Sequence, residues 1–361
     1  MKKKFICFTA ISLICTLFTA CSKREEAVPA VATVAPSPAP VKSEIVITAA
    51  GDCTLGSDPR FSYGGSFHAR FEEEGENHAY FFENVAPFFR EDSLSFVNFE
   101  GTLTEETERA DKAYTFKGPA HYAKILTEGD IEAVSLSNNH TYDFGETGFK
   151  DTKKALEKEN IAYTYSDKTV LFSVRPGQEA VEVKEKDEKG ENETYIGIVA
   201  FSIWYDDAEV RANIKEAVSA LRKQGADLVF VSCHWGLEGE NYPYDVQKTV
   251  GRYAIDIGAD GVWGHHPHVI QGIEKYKGKE IVYSMGNFCF GGNHNPADKD
   301  CFMYRMTFET EDGLLTGEWE SEIIPCRVSS QSSYNDYKPT PAEGEEKERI
   351  LKRMDTYQVK N

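Results

Sequence analysis

The sequence lacks an excess of basic residues, and this excludes several kinds of partner. It has 40 lysine and arginine residues against 59 aspartate and glutamate residues, so its formal net charge is −19. A surface of this charge repels nucleic acid and does not bind electrostatically to anionic lipid. It would also repel a polyanionic substrate unless a metal ion or a local basic patch compensates. We therefore expect no nucleic-acid partner.

Long apolar runs and a phosphate-binding loop are also missing beyond the N-terminus. After residue 21, no segment approaches the roughly 18 apolar residues that a membrane-spanning helix needs. The chain has no ATP-binding loop, so it cannot drive an ATP-dependent polymerisation itself. No internal repeat is visible. A membrane-spanning protein and an ATP-dependent ligase are therefore not expected.

Cysteine is scarce, and its spacing does not form a disulfide framework. Three of the eight cysteines lie within the first 21 residues. The other five are Cys53, Cys233, Cys289, Cys301 and Cys326. One pair could form a disulfide, but an odd number without regular spacing does not indicate which pair.

The N-terminus contains an export signal. MKKK gives a positive start, and the apolar run at residues 5–18 is too short to span a bilayer. The run ends on LFTAC, which resembles a lipobox, although Phe18 stands where leucine is usual. We predict a signal peptide over residues 1–20 and a lipid on Cys21 that anchors the protein to the extracytoplasmic face of the cell membrane. The alternative is an ordinary secretory peptide with an incidental cysteine.

Composition divides the rest of the chain into three parts. Residues 21–43 are rich in Pro, Ala, Val and Ser without hydrophobic periodicity, which is typical of a disordered tether. Residues 44–330 have ordinary apolar content, as in one large α/β domain. Residues 331–361 are polar and rich in Glu and Lys, and we expect a tail that is frayed or helical on the surface. The charged stretch 182–193 is predicted to be a solvated hairpin tip.

The order of the predicted elements indicates how the strands are arranged. Short apolar strands alternate with amphipathic helices first, and hairpins with Gly turns follow from residue 279. This order favours parallel strands in the middle and antiparallel pairs at the margins. One of the helices covers residues 244–259, and its predicted inward residues are Val246, Val250, Tyr253 and Ile257.

Polar turns that carry metal-ligand residue types follow the predicted strands. They are Gly51-Asp52, Asn98-Phe99-Glu100, Asn138-Asn139-His140, His234-Trp235-Gly236 and Gly264-His265-His266-Pro267-His268. The carboxyl ends of parallel strands line a common crevice, so these turns are expected to meet there. Asp, Glu, Asn and neutral His are ligands suited to Mn, Fe or Zn. We therefore predict a polar, metal-binding crevice.

Each turn alone has an ordinary structural explanation. A lone His234 is more often a hydrogen-bonded core residue than a ligand, and the Asn-Asn-His turn could be a cap. Asn287 also ends a strand, where it either lines the crevice or forms a Gly-Asn turn. Trp235, Tyr242 and Tyr244 could form an aromatic wall over the site, or they could be ordinary core and surface aromatics.

Six segments in order resemble the poly-γ-glutamate capsule biosynthesis (CapA-type) family. They are GDCTLG, NFEGTLT, LSNNHTYDFG, CHWGLE, GHHPHVIQG and YSMGNFCF, and the resemblance covers residues 45–328. This family is related to the calcineurin-like metallophosphatases. The resemblance therefore implies two packed mixed sheets flanked by helices, in a four-layer αββα sandwich, with one or two divalent ions as cofactor.

The resemblance also implies roles for single residues. The implied metal ligands are Asp52, Glu100, Asn139, His234, His266 and His268. His140 matches the histidine that protonates the leaving group. Weaker candidates for the substrate pocket are Asn138, His265, Trp235 and Asn287.

Two departures from the metallophosphatase pattern leave the metal content open. Thr54 stands where a histidine ligand is usual, and Glu100 lengthens the second carboxylate ligand by a methylene. Two ions, one ion or a polar pocket without metal all remain consistent with the sequence. If metal binds, the implied chemistry is metal-assisted hydrolysis of a phosphoester or of a γ-glutamyl amide.

Three functions are consistent with the sequence. The first is a membrane-anchored component of poly-γ-glutamate or related capsule synthesis or export, with the synthesis machinery or an anionic polymer as partner. The second is a metal-dependent hydrolase that acts on an unrelated extracellular phosphoester. The third is a non-catalytic polymer-binding scaffold. The missing histidine at Thr54 favours the first and third, whereas bound metal with turnover would favour the second.

Overall fold

The computed structural model covers most of the chain beyond the predicted tether. The residues that it describes are 40–166, 168–184, 190 and 192–359. The predicted signal peptide, Cys21 and the tether up to residue 39 lie outside them, as does most of the predicted charged hairpin tip. No helix within the described residues has the length and apolar character required to cross a membrane.

The described residues form seventeen strands, numbered in chain order. They are β1 (Lys42–Thr54), β2 (Leu94–Phe99), β3 (Thr102–Leu103), β4 (Lys117–Gly118), β5 (Ala133–Ser135), β6 (Ala162–Thr164), β7 (Val170–Val174), β8 (Val181–Glu182), β9 (Thr194–Ile203), β10 (Leu228–Trp235), β11 (Gly261–His265), β12 (Ile273–Tyr276), β13 (Lys279–Val282), β14 (Asn287–Phe290), β15 (Asp300–Glu311), β16 (Leu314–Arg327) and β17 (Thr340–Pro341).

Seven α-helices connect or follow these strands in the described part of the chain. They are α1 (Phe67–Glu73), α2 (Ala86–Arg90), α3 (Ala123–Glu128), α4 (Gly145–Lys158), α5 (Ala208–Lys223), α6 (Asp245–Asp256) and α7 (Gly344–Tyr357). Two short 3₁₀ helices, His78–Phe82 and Ala120–Tyr122, precede α2 and α3.

The strands form two large mixed sheets and one small parallel pair, β3–β4. The first sheet has the order β17-β16-β15-β1-β2-β5-β6, and β14 also pairs with β1. The second has the order β12-β13-β11-β10-β9-β7-β8. In both, a block of parallel strands is flanked by antiparallel strands on at least one side. The predicted arrangement of parallel and antiparallel pairs is confirmed.

The two sheets pack face to face, and helices cover their outer faces. Ile45, Ile47 and Ala49 of β1 enter the core between the sheets, whereas Ala50 faces the core beneath α1–α4, because successive strand residues point to opposite faces. Across the central core, the rings of Phe96 and Trp263 from the two sheets lie 5.2 Å apart. A third core lies between the second sheet and helices α5 and α6. The predicted class, two packed mixed sheets flanked by helices, is confirmed.

The chain beyond residue 330 differs from the expected polar tail. Tyr337 is fully buried, and β17 pairs with β16 at the edge of the first sheet. Helix α7 buries Ile350 and Met354 in the core between the sheets. These two residues are four apart and therefore share one helix face, so a mostly charged segment still has an apolar stripe.

Candidate metal centre

The parallel strands of both sheets end at the same crevice. In the first sheet Asp52 at the end of β1 is paired in register with Asn98 of β2 and with Asn287 of β14. In the second sheet His234 of β10 is paired with His265 of β11. Asn98 Nδ2 donates to His234 Nδ1 at 3.3 Å and so joins the two sheets. The strand ends thus bring together turns that are far apart in sequence, as predicted for an α/β crevice.

Asp52 is fully buried among hydrogen-bond donors. Its Oδ1 accepts from Asn98 Nδ2 at 2.8 Å and lies 3.5 Å from His265 Nδ1. Its Oδ2 lies 3.4 Å from His268 Nδ1 and accepts the backbone N–H of His266 at 3.3 Å. Burial alone would raise the pKa of Asp52, but His265 and His268 outweigh burial and hold that pKa well below its ordinary value. An ionised carboxylate is therefore maintained in the crevice.

Glu100 is fully buried, and its Oε1 has no hydrogen-bond partner among the described residues. This oxygen lies 3.7 Å from His140 Nε2 and 3.7 Å from His268 Nε2. Burial raises the pKa of Glu100 to about 8, against the opposing charge of His268 and together with the charge of Asp52. A buried carboxyl oxygen without a partner is costly, and a cation would satisfy it.

The first group of potential ligands consists of Asp52, Glu100 and His268, whose donor atoms lie within 4.8 Å of one another. His268 Nδ1 donates to Asn287 Oδ1 at 2.9 Å, which leaves Nε2 facing Glu100. Burial lowers the pKa of His268, but Glu100 and Asp52 outweigh it and raise the pKa to about 9. Thr54 does not add a metal ligand to this group, because its hydroxyl is engaged in a hydrogen bond to the backbone oxygen of Glu100 at 2.8 Å.

The second group consists of Glu100, His234 and His266, again within 4.8 Å of one another. Asn139 Oδ1 lies 2.7 Å from His234 Nε2, and the buried Nδ1 of His266 has no hydrogen-bond partner among the described residues. Burial lowers the pKa of His234 well below its ordinary value and that of His266 to about 4. Both imidazoles are therefore neutral at pH 7, the form that binds a metal ion, whereas His268 would release a proton on binding one.

Glu100 belongs to both groups, so the two sets of potential metal ligands meet at this residue. Two sets of Asp, Glu, Asn and His donors that share one carboxylate could hold one or two divalent ions. The orphaned oxygen of Glu100 and the orphaned nitrogen of His266 fit the same explanation. The residues present can thus hold one or two ions of the Mn, Fe or Zn type.

The turn that carries the histidines has a strained backbone. His266 has φ 94° and His268 has φ 58°, both in the left-handed region that residues other than glycine rarely adopt. Such strain persists only where the surroundings impose it, and it is concentrated at functional sites. Here it directs two imidazoles, two residues apart, towards the same crevice.

His140 is held by a charged pair that the sequence did not reveal. Its Nδ1 donates to Asp143 Oδ2 at 2.7 Å, and Lys112 Nζ donates to Asp143 Oδ1 at 2.7 Å. The ring stacks on Phe116 with centroids 4.3 Å apart. Burial lowers the pKa of His140, and Asp143 acts in the opposite direction. With Nδ1 held in this way, Nε2 of His140 faces the crevice beside Glu100.

The structure brings together every residue predicted as a ligand or proton donor, whereas the weaker pocket candidates differ among themselves. Asn138 holds the turn below the crevice: it donates to Phe99 O at 2.7 Å and accepts from the backbone N–H of His140 at 3.0 Å. His265 is buried beside Asp52.

Trp235 does not line the crevice, and this corrects its prediction as a pocket residue. It is fully buried in the core beneath α6 and donates from Nε1 to Tyr283 O at 2.9 Å. The reason is strand alternation, since His234 points into the crevice and its neighbour must point to the opposite face. Trp204, which was not predicted, lies over the crevice instead, with its ring 4.9 Å from that of His266.

Two clefts open onto the site. The larger, about 930 Å³, is lined by His140, His268 and Asn287 together with aromatic and amide side chains, and no lysine or arginine is among the described residues that line it. The smaller, about 450 Å³, is lined by Trp204 and His266. Of the aromatic wall that the sequence suggested, Tyr244 lines this smaller cleft, whereas Tyr242 contacts Tyr357.

Gly51 lies where β1 passes closest to the loop before β14. A Cβ at this position would lie 2.0 Å from Gly286 O, the same atom that accepts the backbone N–H of Asp52 at 3.0 Å. We expect Gly51→Ala to lower the free energy of unfolding by about 1–3 kcal/mol or more, as overpacking does. Urea unfolding measures this, with Gly64→Ala as the control, since a Cβ at Gly64 meets nothing within 4 Å. Equal stability of the two variants would contradict the expectation.

Comparison with known proteins agrees with these motifs. Residues 46–169 and 161–292 match the family described as bacterial capsule synthesis protein PGA_cap. The chain is 33% identical over 218 residues to the PGA biosynthesis protein CapA of Bacillus subtilis (strain 168), a match that covers 58% of this chain and 56% of the relative. It is 31% identical over 234 residues to the capsule biosynthesis protein CapA of Bacillus anthracis, covering 58% and 54%.

These matches cover only part of each relative, so the chain spans about half the length of the curated relatives it matches. Among solved structures, a hypothetical protein from Thermus thermophilus aligns with a TM-score of 0.41 and 17% identity, over 78% of this chain and 99% of that one. The region matched by the family includes every crevice residue from Asp52 to Asn287.

Proposed function

Because the chain belongs to the PGA_cap family of bacterial capsule synthesis proteins, we propose that it acts as a metal-dependent hydrolase in the synthesis or export of a poly-γ-glutamate or related capsule. The resemblance drawn from the six sequence motifs is confirmed at the level of the family. We further propose that lipid on Cys21 holds the protein at the extracytoplasmic face of the membrane, where the synthesis machinery and the polymer are its partners.

The observation that carries the hydrolase proposal is the double membership of Glu100. Its carboxylate lies within 4.8 Å of ligand atoms of Asp52 and His268 in the first group and of His234 and His266 in the second. In a histidine cluster with a purely structural role, a buried carboxyl oxygen would have a hydrogen-bond partner, and Glu100 Oε1 has none among the described residues. A centre that binds two cations explains this oxygen, because a cation would be its partner.

The residues divide between ligands and a proton donor. The ligands proposed are Asp52, Glu100, Asn139, His234, His266 and His268. These residues would hold divalent ions, which would act as a Lewis acid on the oxygen of the scissile group and lower the pKa of a water molecule. His140 lies at the edge of the larger cleft and protonates the leaving group, while Asp143 keeps its ring in the orientation that presents Nε2.

The bond that we propose as substrate is the amide of a γ-glutamyl polymer. The names of the relatives from the two Bacillus species support the capsule context. The larger cleft offers no lysine or arginine among the described residues that line it, and the chain carries a formal charge of −19. Binding of an anionic polymer therefore depends on the charge of the ions, and we expect it to disappear when a chelator is added.

Elemental analysis and a hydrolysis assay of the full chain test the proposal. We expect about one or two equivalents of Mn, Fe or Zn and the appearance of new amino termini from poly-γ-glutamate. Hydrolysis of bis(p-nitrophenyl) phosphate alone would favour a phosphoesterase with an unrelated substrate. A protein that holds no metal after reconstitution would contradict the hydrolase and favour a polymer-binding scaffold.

A further inference from the structure

We propose that Glu238 is a further ligand of the metal centre and supplies the donor that the metallophosphatase pattern places at position 54. The inference rests on the metal centre of the proposed function. Neither the sequence motifs nor the strand-end rule assigned a role to Glu238, which lies three residues beyond the end of β10.

The turn after β10 places Glu238 over the histidines. Gly236 has φ 91°, which reverses the chain directly after Trp235. The backbone N–H of Gly239 then donates to Pro267 O at 2.9 Å. Pro267 stands between the two crevice histidines of its own turn, so this bond fixes the segment 236–239 against them. Glu238 accordingly lines both clefts.

The carboxylate of Glu238 lies near one histidine from each of the two groups of potential ligands. One of its oxygens and one ring nitrogen each of His266 and His268 lie within 4.8 Å of one another. His268 belongs to the first group of potential ligands and His266 to the second. The buried Nδ1 of His266 has no hydrogen-bond partner among the described residues, which is a second indication that a ligand belongs there. Glu238 itself is exposed and therefore free to adjust its position.

The first ion position has room for a further protein ligand. Asp52, Glu100 and His268 provide three donors, and an octahedral ion such as Mn²⁺ takes about six, so Glu238 can bind beside water. Thr54 offers only a neutral hydroxyl at this place, and its hydrogen is donated to the backbone oxygen of Glu100. A carboxylate in place of an imidazole also makes the donor set harder. The difference in affinity between Zn²⁺ and Mn²⁺ should therefore be smaller than for the histidine-containing pattern.

Titration of the full chain with Mn²⁺ tests the inference. The protein is purified in mild detergent, stripped with a chelator and titrated by calorimetry, with the Mn²⁺ electron paramagnetic resonance spectrum as second readout. We compare Glu238→Gln and Glu238→Asp with the wild type. Glu240→Gln is the matched control, since it removes the same charge from a nearby exposed position outside every potential ligand group.

Both Glu238 variants should lose about 10- to 100-fold in Mn²⁺ affinity at one position and change the spectrum, whereas Glu240→Gln should not. Glu238→Asp is decisive, because it keeps the charge but withdraws the carboxylate by a methylene. Loss in Glu238→Gln alone would show a purely electrostatic effect and overturn the inference. Unchanged binding in both variants would overturn it while leaving the proposed function intact. A wild type that binds no Mn²⁺ would overturn the inference, and one that also holds no Fe or Zn by elemental analysis would overturn the proposed function.

Discussion

Replacing Glu100 with glutamine is expected to remove both ions from the crevice at once. Glu100 is the one residue shared by the two main groups of potential ligands in the described part of the chain. Glutamine keeps the volume of the side chain but loses the negative charge and one of the two acceptor oxygens. We expect Mn²⁺ affinity to fall more than about 100-fold at both positions.

His266→Ala provides the comparison that gives the Glu100 result its meaning. His266 belongs to a group with His234 but not to the group of Asp52 and His268. We therefore expect elemental analysis to find the His266 variant with about half the metal of the wild type, and the Glu100→Gln variant with almost none. Equal metal content in these two variants would contradict the bridging position of Glu100.

Glu100→Gln should not lower the stability of the fold when a chelator keeps the protein free of metal. Burial raises the pKa of Glu100 to about 8, so the native state favours its protonated form. A raised carboxyl pKa contributes stability below the unfolded value, near pH 4.5, and that stability is lost as pH rises through 8. Glu100→Gln should therefore have a higher melting temperature than the wild type at pH 9 and a similar one near pH 4, where the wild-type carboxyl is protonated in both the folded and the unfolded state. Unfolding of the variant at both pH values would indicate a structural role instead.

The general position of the site could be predicted because it depends on local features. Asp52, Glu100 and His234 each lie at or directly after the end of an apolar strand, and the alternation of strands and helices predicts parallel order. These two features are enough to predict that the polar turns meet at one edge of the sheets. The membership of Glu100 in both groups of potential ligands rests on distances between side chains from different sheets, which strand order alone does not give.

Two aromatic residues show where the strand-end rule was applied too loosely. Trp235 is the last residue of β10, and strand alternation sends it into the core once His234 faces the crevice. Trp204 follows the last residue of β9, where the same rule would have placed a crevice residue. A strict residue-by-residue alternation would have distinguished these two tryptophans.

Helix α6 shows why buried helix residues are hard to predict from apolar periodicity alone. Of the four residues predicted to face inward, only Val250 is fully buried, and Gly251 and Ala254 are buried beside it. A Cβ on Gly251 would lie 3.0 Å from the side chain of Ile281. Close approach to the sheet therefore selects small residues at the contact, which a search for large apolar side chains overlooks. Asp143 and Lys112 were missed for a related reason, since no periodic pattern marks the loops that carry them.

Replacing His140 with alanine is expected to abolish most hydrolysis while leaving the metal in place. His140 is not in any of the potential ligand groups among the described residues, so metal content should match the wild type. General acid catalysis contributes about 10²- to 10⁴-fold, and we expect a loss of that size for substrates with an amine or alkoxide leaving group. His121→Ala, an exposed histidine outside the crevice, is the control.

The leaving group decides whether His140 acts by donating a proton. An amine or alkoxide must be protonated as it departs, whereas p-nitrophenolate leaves readily without a proton. His140→Ala should therefore slow hydrolysis of the γ-glutamyl amide far more than that of a p-nitrophenyl ester. Asp143→Asn should show the same selectivity with a smaller loss, because it removes the partner that orients Nδ1 and favours the protonated ring. An equal loss for both substrates would mean that His140 binds or positions the substrate rather than protonating the leaving group.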